Sequence, residues 1–125
     1  CGEIEIMEMI GGQGREDTVH GTLHWQANGQ SRFEGGSLTL PNDTFTGQFH
    51  VFTVVWSESR IRWLADGHEY FRYEIPEDAF DLSGQAMQLE LSLAVGGDRV
   101  GEPGDSAGFP KRLIVDYIRV FRPVP

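Results

Sequence analysis

The sequence predicts an all-β fold, a sandwich or barrel of short strands. Short segments alternate apolar and polar residues, the period of a strand with two unlike faces, and no long helical periodicity appears. Between them recur turn clusters of Gly, Pro, Asn and Asp, drawn from 16 glycines in all. Strands are expected near 3–9, 17–26, 31–39, 47–56, 59–65, 68–75, 87–95 and 112–121. Loops are expected at Gly11-Gly12-Gln13-Gly14, Pro41-Asn42-Asp43, Ile75-Pro76-Glu77-Asp78 and Gly101-Glu102-Pro103-Gly104, with one helical turn at Glu77–Phe80.

The first strand, within Gly2-Glu3-Ile4-Glu5-Ile6-Met7-Glu8-Met9, places three carboxylates in six residues. Side chains two apart share a face, so Glu3 and Glu5 point together. Glu8 lies five steps from Glu3, and that odd spacing sends it to the opposite face. One extra residue near Met7, a β-bulge, brings Glu8 round to join them, and bulges are enriched beside active sites for this reason. Ile4, Ile6 and Met9 are then expected on the buried face. Paired carboxyls are the equipment of glycoside hydrolysis, with retention of configuration when they lie about 5–5.5 Å apart. A solvated acidic strand face is the alternative reading of the same spacing.

The second strand alternates too. His20, Thr22 and His24 share one face, and Val19, Leu23 and Trp25 share the other. If this strand neighbours the first, a polar stripe lies beside the glutamates and suits hydrogen bonding to sugar hydroxyls. The two histidines can equally be ordinary polar-face residues. Two His and three Glu also admit a metal site, but no helix motif such as H-E-x-x-H signals one. Val51-Phe52-Thr53-Val54-Val55-Trp56 reads as a core strand with Trp56 inside. Trp25 and Trp63 could stack on sugar rings or fill the core. Asp66-Gly67 between two apolar runs is a two-residue hairpin signal, because that turn needs positive φ.

Toward the end, Gln88-Leu89-Glu90-Leu91-Ser92-Leu93-Ala94 is expected to bury its leucines and to turn Gln88, Glu90 and Ser92 to a polar groove. In the last strand Ile114, Asp116, Ile118 and Val120 share a face. A carboxylate there requires hydrogen bonds or a hard cation such as Ca²⁺.

At 125 residues the chain is one domain at most. Its formal charge of −9 disfavours nucleic acid and anionic membranes and leaves neutral sugars compatible. No apolar run approaches the ~18 residues of a membrane span. The opening Cys-Gly-Glu lacks the features of a signal peptide and starts inside a strand, so a processed or truncated chain is expected. The single Cys1 cannot form an internal disulfide, and it excludes a zinc site built on cysteine pairs.

The run Glu3-Ile4-Glu5-Ile6-Met7-Glu8 resembles the catalytic signature of glycoside hydrolase family 16, E-x-D-x-x-E in its bulged form. The likeness continues in the family's order. It runs through Thr18–Trp25, Phe49-His50-Val51-Phe52, Val55-Trp56, Ile61-Arg62-Trp63 with Asp66-Gly67, Leu93–Gly97 and Val115–Phe121, and is closest to laminarinase-type endo-β-1,3-glucanases. It implies a concanavalin A-like β-jelly-roll sandwich and a secreted, extracellular retaining enzyme acting on β-glucan. On this resemblance Glu3 is the nucleophile, Glu8 the general acid/base, and Glu5 the middle residue that hydrogen-bonds the nucleophile. His20 matches a cleft residue near the catalytic centre and Ser92 falls where many members have Asn; with Thr22 and His24 of the polar stripe they are expected to bind substrate. Asp116 matches the ligand of a structural Ca²⁺, and catalysis itself needs no cofactor.

Two departures follow. The family normally has Asp where this chain has Glu5, and a carboxylate displaced by about 1 Å can cost roughly 10²-fold in rate. Members also carry several strands before the motif. The chain is therefore expected to be the C-terminal portion of a catalytic domain, lacking its N-terminal strands, which a separate fragment or a second copy supplies. A non-catalytic β-glucan-binding module, or an inactive fragment of such an enzyme, is the alternative.

Overall fold

The computed structural model describes residues 2–76, 86–98, 100–104 and 108–122. They fall into two compact units, Cys1–Met87 and Gln88–Pro125. The first unit contains β1 (Glu3–Met9), β2 (Thr18–Ala27), β3 (Gln30–Thr39), β4 (Phe52–Trp56), β5 (Arg60–Ala65) and β6 (His68–Glu74). They form two three-stranded antiparallel sheets, ordered β1-β2-β3 and β4-β5-β6. The fold is all-β, a partial jelly-roll sandwich in strand complement.

Turn chemistry sets both tight hairpins. Asn28-Gly29 joins β2 to β3 with φ of 53° and 74°, and Asp66-Gly67 joins β5 to β6 with φ of 49° and 81°. These are the positive values a two-residue turn requires. Asp66 also anchors the start of β4: His50 Nδ1 lies 2.7 Å from its Oδ2, and the Val51 N–H donates to Oδ1 at 2.8 Å. The His50 contact, then the Val51 N–H, hold the Asp66 carboxyl below its ordinary value. β4 begins at Phe52 rather than at 47 as expected: Phe52 pairs with Ala65, the last residue of β5, and the chain before it turns at Gly47, φ 91°.

The core lies between the sheets. Val19 and Leu23 from β2 meet Ile61, Trp63 and Ala65 from β5, all buried, with Phe45 closing one end. Its tightest contact depends on missing side chains. Gly21 and Gly36 face each other across β2 and β3. A Cβ on Gly21 would sit 2.4 Å from Trp63 Cδ1, and one on Gly36 would sit 2.6 Å from Phe71 Cγ. The bare backbone thus makes a slot for the Trp63 and Phe71 rings, whose centroids are 4.9 Å apart. Tyr70, the extra residue at a register shift in β6, packs on both halves of the core, and burial pushes its hydroxyl up to about 12. Outside, Glu69 takes ion pairs from Arg62 and Arg72, and Arg60 pairs with Glu74. Exposed pairs of this kind contribute little.

Several expectations are corrected. Ile6 is 37% exposed, while Met7 packs on the core beside Met9. The inserted residue exchanges their sides. Trp56, expected inside, is 36% exposed at the end of β4. Neither 87–95, which begins at the last residue of the first unit, nor 112–121 in the second forms a strand. Leu89, Leu91 and Leu93 are 53–57% exposed, and Ile114, Ile118 and Val120 are exposed as well. Alternation shows how a strand would divide its faces; the ladder itself needs a pairing partner, and the described residues of this unit supply none. The helical turn expected at Glu77–Phe80 lies outside the described residues.

Two outcomes follow. Gly21→Ala should destabilise the protein by about 1–3 kcal/mol through overpacking against Trp63, read as a lower urea midpoint; an unchanged midpoint contradicts the slot. Asp66 is depressed in the folded state, so its contribution is present above its ordinary value of 3.8 and lost as pH falls toward the lower folded value. Asp66→Asn should therefore lower the unfolding midpoint at pH 7, with the difference from the parent shrinking in acid.

Candidate active site

The site begins with the register between β1 and β2. Glu3 pairs with His24, Ile4 with Leu23 and Glu5 with Thr22; the pairing then shifts, and Glu8 faces His20. Three steps along β1 match two along β2, so Ile6 and Met7 together oppose Gly21. This is the two-against-one geometry of a β-bulge. Because His24, Thr22 and His20 share one face of β2, their partners Glu3, Glu5 and Glu8 share it too. Directly paired positions bring Cβ atoms to about 4.5–5.5 Å. The spacing arithmetic of the acid run and the fold agree on the bulge.

A cross-sheet hydrogen bond supports this irregular backbone. Trp63 Nε1 donates to the Glu5 carbonyl at 2.9 Å, where the bulge interrupts the regular pairing. The same indole lies over Gly21, opposite the bulge. Trp63, open in the sequence between core and sugar platform, is fully buried. Trp25 also packs on the core, its ring 5.7 Å from Tyr73.

On the outer face His24 Nε2 lies 3.4 Å from Glu5 Oε2, with both side chains part exposed. Glu3 is exposed; Glu5, Glu8, His20 and Thr22 are intermediate, so solvent and solutes reach the row. β3 adds a third row: Phe33 beside His24, Gly35 beside Thr22, Ser37 beside His20. Beyond it the Thr18 and Thr39 hydroxyls meet at 2.9 Å. The face thus gathers three carboxylates, two imidazoles and several hydroxyls around an open floor. Such a set can hydrogen-bond a polyhydroxylated ligand and offer paired carboxyls for acid–base and nucleophilic steps.

Ser92 and Asp116 belong to the second unit, where both are exposed. Ser92 lines a concavity with Leu91, Leu93 and residues 111–115. Among the described residues no group of three His, Cys, Asp or Glu side chains converges on a metal-sized site.

Phe33 was not among the residues singled out from sequence. The signal was present in Asn28-Gly29, a strong hairpin dipeptide. A two-residue turn there pairs Ala27 with Gln30 and so carries Phe33 opposite His24.

The family model described as Glycosyl hydrolases family 16 matches residues 1–119. The chain is 37% identical over 131 residues to the beta-glucanase of Rhodothermus marinus, spanning 97% of this chain and 44% of that protein. It is 32% identical over 138 residues to glucan endo-1,3-beta-glucosidase A1 of Niallia circulans, spanning 97% of this chain and 19% of that protein. It is also 25% identical over 123 residues to the clotting factor G alpha subunit of Tachypleus tridentatus, again 97% of this chain and 18% of that protein. The chain therefore spans less than half the length of each of these relatives.

Trp63→Phe keeps an aromatic ring in the slot and removes the donor to Glu5. It should cost about 1–3 kcal/mol, the penalty of an unsatisfied buried acceptor, measured by urea unfolding. An unchanged midpoint would mean that the bulge does not need this bond.

Proposed function

The chain belongs to glycosyl hydrolases family 16, and from that premise we propose that it carries the catalytic strand of a retaining endo-glucanase acting on β-1,3 linkages of laminarin-like glucans. The observation that carries the reading is the bulge between Glu5 and Glu8, which sets three carboxylates in one accessible row. The names of two relatives, a beta-glucanase and a glucan endo-1,3-beta-glucosidase, support the substrate class.

In this reading a Glu3 carboxylate oxygen attacks the anomeric carbon. The bond from that carbon to the leaving oxygen breaks as the Glu8 carboxyl gives its proton to that oxygen. Water then yields a proton to the Glu8 carboxylate while its oxygen attacks the anomeric carbon. The bond to Glu3 breaks, and both carboxyls return to their starting states with configuration retained. Glu5 orients Glu3, and the His24 imidazole 3.4 Å from its carboxylate lies beside it in the row. His20, Thr22 and His24 bind substrate hydroxyls, and Ser92, in the second unit, keeps a substrate-binding role on the family resemblance alone.

For Asp116 we keep a structural Ca²⁺ role. One exposed carboxylate supplies a fraction of the six to eight oxygens Ca²⁺ takes, so other ligands would have to join it. Among the described residues no strand pairs with the outer edges of either three-stranded sheet, and we propose that further strands of the same polypeptide or of a second copy pair there. Polymeric glucan is met outside the cell, which is where we propose the protein works.

A second reading, a glucan-binding module without turnover, is favoured by Glu5 standing where the family normally has Asp. Reducing-sugar release from laminarin separates the two. The parent protein should release sugar, and Glu3→Gln and Glu8→Gln should each lower the rate by at least about 10²-fold. Equal rates in all three would remove the catalytic assignment, and binding without release would establish the module.

A further inference from the structure

On the acid-bearing face β3 presents Ser31, Phe33, Gly35, Ser37 and Thr39. Four of these are small, and Phe33 is the one large apolar side chain, 71% exposed. A lone exposed phenylalanine is ordinary; this one is distinguished by its neighbours. Its ring lies 6.1 Å from the His24 ring at 35°, and His24 in turn pairs with Glu5. Phenyl, imidazole and carboxylate form a continuous line across three strands, about 10 Å long at two strand spacings. The next position on this face, Gly35, carries no side chain. A Cβ there would lie 3.0 Å from the Gly21 carbonyl and 3.2 Å from Thr22 Oγ1. The flank of the phenyl ring toward Thr22 therefore stays clear. A flat apolar ring bordering an open polar floor suits a pyranose, whose C–H face stacks while its rim hydroxyls find polar partners.

We propose that Phe33 is the stacking platform of a sugar subsite, holding a glucosyl ring at least one unit away from the cleaved linkage; this rests on the glycosidase reading of the acid row. At two strand spacings from the carboxylates it acts as a positioning residue, through affinity and chain-length preference.

The test is calorimetric titration of the Glu3→Gln protein with β-1,3-gluco-oligosaccharides of increasing length. Adding Phe33→Ala should weaken binding of the longer oligosaccharides roughly three- to tenfold, the range of an aromatic stacking contact. Phe33→Trp should restore it. Phe33→Leu keeps apolar cover on His24 but lacks a flat face, and should behave like Ala. With Glu3 intact, Phe33→Ala should raise KM on laminarin more than it lowers kcat. The side chain is exposed, so thermal midpoints should match the parent. Equal affinities with and without Phe33, or full rescue by Leu, overturn the platform alone. A parent that binds no glucan overturns the glycosidase reading and the platform with it.

Discussion

The contact on which the arrangement depends is the seating of Trp63 on bare backbone. Its indole occupies a slot that exists because Gly21 carries no side chain. The indole N–H reaches the Glu5 carbonyl at 2.9 Å from the opposite sheet. Gly21 is also the residue that Ile6 and Met7 jointly oppose, so the glycine, the bulge and the tryptophan meet at one point. Three requirements coincide there. The core needs a large ring, the interrupted strand needs a donor for its carbonyl, and Glu8 needs one extra residue to join Glu3 and Glu5. A regular β1 would satisfy the ladder and turn Glu8 to the core side, where burial of a carboxylate is costly. The bulge lets one strand set Glu3, Glu5 and Glu8 on the outer face while Ile4, Met7 and Met9 pack on the core.

The two faces of β2 then divide the labour. Val19 and Leu23 are fully buried, while His20, Thr22 and His24 form the middle row of the polar face. β3 widens that face, and its small residues keep the floor low except at Phe33. The hairpins at Asn28-Gly29 and Asp66-Gly67 fix the registers that make these rows line up. A one-residue slip in either would exchange core and polar faces.

Much of this was legible in the residues because strand parity is arithmetic. The alternation of β2, the Asp66-Gly67 turn and the need for an inserted residue near Met7 all follow from counting. Other features depend on what packs across the sheets, which counting cannot reach. Which of Ile6 and Met7 turns inward is decided by the bulge's local geometry and the Trp63 ring opposite. The role of Gly21 and Gly36 is visible only once their aromatic neighbours are placed. Residues 87–95 and 112–121 show the converse limit. Their alternation is clear, but a strand also needs a partner ladder, and among the described residues none pairs with them. Phe33 was missed for a simpler reason: the Asn28-Gly29 turn was there to be read, and it sets the register that places the ring.

The central claim is that the bulged acid row is a glycosidase centre with Glu3 as its nucleophile. It is tested most directly by trapping. An activated 2-deoxy-2-fluoro-β-glucosyl oligosaccharide slows breakdown of the glycosyl-enzyme, so the adduct accumulates and fragmentation of the N-terminal peptide locates it. The account predicts one glycosyl group, esterified to Glu3. An adduct on Glu5 or Glu8, or no adduct in a protein that hydrolyses laminarin, would contradict it.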